Sequence, residues 1–198
     1  ALQTKPENML ASRAPLKLGA ELFGSPGPDG DLEIVSLMIE SLRTLGVTAI
    51  HLELGDVGIF RELMRNVELA EKDENALFDL IQQKSVAGLK VQAGQLGLPA
   101  KLCEQLVTLP TLCGTSAIIE DALELFSGAA QIEARLENLA KLYGAITDRF
   151  ENIDVYFDLS ELRGYGYHTG IVFAGYIEGE RQCIAKGGRY DDVGEVFG

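Results

Sequence analysis

Two short segments gather glycine, arginine and tyrosine in a way that suits a small polar ligand: Arg163-Gly164-Tyr165-Gly166-Tyr167-His168-Thr169-Gly170 and Gly187-Gly188-Arg189-Tyr190-Asp191. Glycine lets a backbone approach a ligand closely, arginine offers a fork of donors, and tyrosine offers a flat face with a polar tip. With the carboxylate of Glu21 they supply what a zwitterion needs, an acid for its ammonium and a guanidinium for its carboxylate. Taken singly, each segment also reads as a glycine-rich turn with ordinary aromatic packing. Their occurrence together points to a site.

Other reactive residues exclude more than they offer. Cys103, Cys113 and Cys183 match no metal-ligand spacing and read as buried or idle thiols in a reducing compartment. With only two histidines, His51 and His168, no histidine-rich metal site is expected. The 17 Lys and Arg stand against 30 Asp and Glu, giving a net charge of −13. The cations are scattered, with no basic run of even four residues, which argues against a nucleic-acid partner such as tRNA. No apolar run reaches bilayer length and no signal-peptide pattern opens the chain, so no membrane partner and a cytoplasmic location are expected.

The two segments need elements to hold them. Residues 16–23 alternate, which predicts a strand with one buried face and places Lys17 and Glu21 on a common face about 13 Å apart. Residues 25–30 are a turn by composition. An amphipathic helix follows with a stripe of Val35, Met38, Ile39, Leu42 and Leu45 and a stop at Gly46. Residues 47–54 read as the next strand, so the start of the chain predicts an α/β layer arrangement. From about 57 to 150 helical spacing dominates, at 59–69, 75–83 and 118–126, with Gly88, Gly94, Gly97 and Pro99 marking short connections. Ile132, Leu136, Leu139, Tyr143, Ile146 and Phe150 repeat at helical steps over less than three heptads, which favours a packed helix over a coiled coil. The apolar helices of 114–150 are read as the core of an insertion rather than a subunit interface. Strands return at 153–158, 171–177 and 182–185, with Gly187-Gly188 turning the backbone after the third. The irregular start, and a stop at Gly198 just past an acidic helical segment, predict a piece of a larger domain.

The order of these motifs resembles the catalytic domain of class II histidyl-tRNA synthetases. The resemblance rests on Gly-Ala-Glu-Leu-Phe-Gly at 19–24, then helix, strand and helical segment, then the two glycine-rich segments, which correspond to that family's histidine-recognition motifs. It implies an α/β (α+β) fold, an antiparallel six- or seven-stranded sheet flanked by helices. Residues 1–198 would be its central part and 60–150 a mainly helical insertion. It further implies that Glu21 holds an α-amino group, that Arg163 sits at the arginine of the first histidine motif, and that Tyr190 faces an imidazole. Tyr167, His168, Gly187 and Gly188 would line the same site.

The chain also departs from the synthetase pattern. Lys17 stands where the family has glutamine, Gly166 where it has aspartate, and Tyr167-His168 where it usually has a tyrosine pair. An ammonium at Lys17 would compete with a ligand for Glu21, and His168 reads equally as a packed imidazole or a ligand contact. The arginine that grips the ATP α-phosphate belongs near Gln3, yet no arginine precedes Arg13, and the arginine-rich loop is replaced by Asn8-Met9-Leu10-Ala11-Ser12. Adenylation needs fixed positive charge on the transferring phosphate. Histidine contacts without ATP contacts are similar to the synthetase-like regulatory subunits of ATP phosphoribosyltransferase, down to residues 12–21 and 158–164. That resemblance implies a non-catalytic subunit with no cofactor, L-histidine as effector, the short-form catalytic subunit as partner and self-association through the synthetase-like domain. A divergent synthetase and a structural module without a ligand are the alternatives.

Overall fold

The computed structural model describes residues 17–191. The expectations placed on residues 1–16 and 192–198, the phosphate-gripping position near Gln3 and the closing acidic helix among them, lie outside the described residues.

Among the described residues five strands form one sheet: β1 (Ile50–Asp56), β2 (Cys113–Gly114), β3 (Ile153–Asp158), β4 (Ile171–Tyr176) and β5 (Ala185–Gly188), in the order β2-β3-β1-β4-β5. All neighbours are antiparallel except β1 and β3, which run parallel. This departs from a wholly antiparallel expectation, and connectivity explains it. The chain leaves β1 directly into helix, and a long crossover brings it back to enter β3 from the same end.

Among the described residues seven α-helices accompany the sheet. Helix α1 (Pro28–Thr44) precedes β1, and α2 (Val57–Met64), α3 (Glu71–Gln82), α4 (Val86–Gln95), α5 (Ala100–Thr108), α6 (Ala117–Leu125) and α7 (Ala130–Arg149) lie between β1 and β3. The α7 stripe is buried as its spacing requires: Leu136, Leu139 and Ile146 are fully buried, with Ile132 and Phe150 nearly so. Each such side chain contributes about 1.5–3 kcal/mol by leaving water. In α1, Val35, Ile39 and Leu42 are buried, whereas Leu45, assigned to the same stripe, lies past the helix end and is 77% exposed. Gly88 and Gly94 do not interrupt a helix but lie inside α4. At Gly88 a Cβ would lie 2.6 Å from Leu80, so its absence lets α3 and α4 approach.

Two strand expectations are corrected. Residues 17–23 form no strand, and their apolar side chains are exposed, Leu18 at 90% and Phe23 at 69%. Alternation makes a strand only where a neighbour takes its backbone hydrogen bonds and a layer covers its apolar side, and among the described residues neither is present. The last strand falls at Ala185–Gly188 rather than 182–185, so Gly187 and Gly188 extend the sheet instead of turning away from it. They pair with Phe173 and Val172. The Phe173 ring would lie 2.4 Å from a Cβ on Gly187 and the His168 imidazole 2.8 Å from one on Gly188, which is why a strand here is built of glycine.

The register sorts residues between the two faces. Leu52, Leu54 and Phe157 are fully buried toward the helices. On the opposite face Tyr156, Glu53, Ala174 and Lys186 form one row across β3, β1, β4 and β5.

Candidate functional site

The segment 163–170 is held from below by the helical region. Tyr165 inserts between Phe60 and Phe78, with ring centroids 5.4 Å from each, and its hydroxyl lies 3.3 Å from Glu74 of α3. Arg61 of α2 lies over the Tyr165 ring at 4.4 Å and donates to the carbonyls of Tyr165 and of His168, the latter at 3.0 Å. From α7, Arg135 donates to Asp56 at 3.0 Å and to the Thr169 carbonyl at 3.4 Å. Asp56 is 3% exposed and also caps α2 by accepting from the Gly58 N–H at 2.7 Å. Burial outweighs Arg135 and that cap, so the Asp56 carboxyl titrates above its ordinary range.

The second segment is fixed by Arg189. Its guanidinium donates to Asp31 at 2.9 Å, to the Gly27 carbonyl at 2.7 Å and to Asp191 at 3.1 Å, and so joins the edge strand to the start of α1. Thr169 closes the junction between the segments, donating its N–H to the Arg189 carbonyl at 2.8 Å and its hydroxyl to Asp191 at 2.7 Å. Arg189 is therefore a structural tie, 16% exposed and paired on every side.

These ties bring together Glu21, Tyr167 and Tyr190. The two tyrosine rings lie 4.9 Å apart at 32°, and Phe23 meets Tyr190 edge-on at 6.4 Å. Tyr190 hydrogen-bonds Glu21; desolvation first, and then that bond with the Glu21 charge and Tyr167, raises the Tyr190 hydroxyl to about 12. His168 is tucked behind the pair, against Gly164 and Gly188, and its Nδ1 is buried with no partner among the described residues. Burial lowers its pKa, ahead of an opposing hydrogen bond to the Arg189 backbone. Lys17 is exposed and makes no ion pair with the described residues.

Arg163 sits in a setting its motif did not reveal. Its Nη2 lies 2.7 Å from both Glu53 of β1 and Glu161, and 3.3 Å from the Tyr176 hydroxyl. Glu161 also accepts the Arg163 backbone N–H at 2.6 Å. The bond to Glu161, ahead of the opposing effect of burial, raises the arginine pKa. Burial raises Glu53, against the pull of Arg163 and helped by Glu161 and Asp158. Sequence reading missed Glu53, Glu161, Arg61 and Arg135: Glu53, Arg61 and Arg135 gain their meaning from contacts far along the chain, while Glu161 meets Arg163 two residues on. Glu53 alone carried a signal, an acid inside an apolar strand.

The family model described as histidyl-tRNA synthetase matches residues 1–198. The chain is 42% identical over 198 residues to an ATP phosphoribosyltransferase regulatory subunit of Thioalkalivibrio sulfidiphilus and 43% identical over 198 to one of Pseudomonas aeruginosa. All of this chain is covered in both matches, and it spans 50% of each relative's length. Among solved structures, an ATP phosphoribosyltransferase regulatory subunit/histidyl-tRNA synthetase from Bacillus halodurans superposes with a TM-score of 0.69 at 28% identity, over 85% of this chain and 44% of that one.

Proposed function

The chain belongs to the histidyl-tRNA synthetase family, and from that premise we propose that it is part of a non-catalytic regulatory subunit of ATP phosphoribosyltransferase. In this role it supports the first step of histidine biosynthesis in the cytoplasm and senses histidine for feedback inhibition. Its partner is the short-form catalytic subunit, and it self-associates through the synthetase-like domain, into which the helices of 60–150 are inserted. No helix of the described residues is long and apolar enough to cross a membrane.

The observation that carries the reading is a 42–43% likeness to regulatory subunits along the whole chain. The cluster of Glu21, Tyr167 and Tyr190 is consistent with it, as is the lack of any arginine before Arg13. Histidine binds with its ammonium at Glu21, its ring against Tyr167 and Tyr190, and its carboxylate toward Arg163. His168 and Gly188 shape the wall behind the ring, and Gly187 lets that wall close on Phe173. Binding favours one arrangement of the assembled complex with a coupling of about 1–3 kcal/mol.

The test is feedback inhibition of the complex reconstituted from the full-length subunit and the catalytic subunit. Glu21→Ala is expected to raise the histidine concentration for half-inhibition by about tenfold or more, the loss of one charge-assisted bond. Unchanged inhibition in that variant would remove this cluster as the effector site.

A further inference from the structure

A zwitterion needs a positive charge that is not already spent, and the register identifies a better source than Arg163. One nitrogen of Arg163 lies 2.7 Å from Glu53 and 2.7 Å from Glu161. One guanidinium between two carboxylates leaves the group with a net negative charge, which repels an incoming carboxylate. Across the same face, Glu53 pairs with Ala174 and Ala174 with Lys186. The backbones of Glu53 and Lys186 are thus two interstrand spacings apart, about 10 Å. Lys186 is exposed and makes no ion pair with the described residues. In sequence it stands two residues before Gly188, which packs on His168, and four before Tyr190, which hydrogen-bonds Glu21.

We propose that Lys186, rather than Arg163, supplies the uncompensated positive charge that recognises the carboxylate of the amino-acid effector. The inference rests on the histidine-sensing reading above and assigns a recognition residue within it. Arg163 then serves as a positioning residue, its guanidinium joining β1 to the glycine-rich segment through Glu53 and Glu161. The Lys186 ammonium reaches over β4 from the edge strand, and the ligand lies between it and the carboxylate of Glu21. A ligand of this site is an α-amino acid with a free carboxylate, and an amino alcohol of the same side chain binds less well.

The test uses the full-length protein and two ligands in calorimetric titration: histidine, and histidinol, which keeps the ring and the ammonium but carries a hydroxyl in place of the carboxylate. Lys186→Met is expected to weaken histidine by about tenfold or more while leaving histidinol within about twofold, because only the carboxylate contact is removed. Lys186→Arg is expected to keep most of the histidine affinity. Equal losses for both ligands, or no loss for histidine, would overturn the assignment. So would an Arg163→Gln variant that abolishes the preference for histidine over histidinol while Lys186→Met retains it. If the unmodified protein binds neither ligand, the sensing reading itself falls. If it binds histidine and Lys186→Met binds it as well, only the Lys186 assignment falls.

Discussion

His168 shows how packing rather than residue type sets a titration. The ring lies against Gly164 and Gly188 and keeps a buried Nδ1 without a partner among the described residues. Burial holds its folded pKa below the ordinary 6.5. The unfolded chain therefore takes up a proton more readily than the folded one across that interval. The stabilising contribution is fully present above pH 6.5 and is lost as pH falls through the lower folded value. Denaturant titrations of the full-length protein at stepped pH are expected to show stability falling below 6.5, with His168→Asn flattening that limb. A variant as acid-sensitive as the unmodified protein would show that other groups set the limb. The motif's synthetase counterpart usually has tyrosine at this position, and two glycines here leave room for an imidazole in a way no single motif position discloses.

Among the elements, α7 is tied to the sheet by a long-range ion pair. Arg135 and Asp56 are 79 residues apart, and their 3.0 Å contact also reaches the Thr169 carbonyl of the glycine-rich segment. Gly58 makes the geometry possible, since a Cβ there would lie 2.0 Å from Arg135 Nη1. Removing one partner of a buried pair leaves a charge without compensation, at a cost of about 3–5 kcal/mol. Arg135→Met is therefore expected to lower unfolding free energy by about that amount, and pairing it with Asp56→Asn to recover part of the loss in a double-mutant cycle. Strictly additive losses would show that the two side chains do not act as a unit. Arg61 performs a parallel task from α2, holding the carbonyls on either side of Tyr167. The helices thus do more than fill a core, because the glycine-rich segment rests on them.

At the scale of the whole molecule, ligand binding distinguishes a sensor from a synthetase. A net charge of −13 gives a poor surface for a polyanion, and ATP needs fixed cations where its phosphates lie. Calorimetry on the full-length protein is expected to show histidine binding and no ATP binding. Binding of both would return the chain to the synthetase activity of its family, and binding of neither would leave a structural module. The chain spans half the length of the regulatory subunits it matches, so these measurements belong to the complete protein.

Local chemistry made much of this legible in advance. The repeat of α7 needed only its own spacing, because 3.6-residue periodicity and apolar burial are properties of a single helix. The same holds for α1 and for the alternation of β3, and the glycine, arginine and tyrosine content of two short segments was enough to single out a candidate site. What required the tertiary structure were pairings between distant residues. Residues 17–23 have strand periodicity but, among the described residues, no strand beside them, and Gly187-Gly188 has turn composition yet lies in a strand between Phe173 on one face and His168 on the other. Arg163 carries a motif, but Glu53 and Glu161 decide how much of its charge a ligand meets, and only the registers of β1 with β4 and β4 with β5 put Lys186 in one row with Glu53. A sequence records which groups are present; the field at any one of them is a sum over neighbours that only folding assembles.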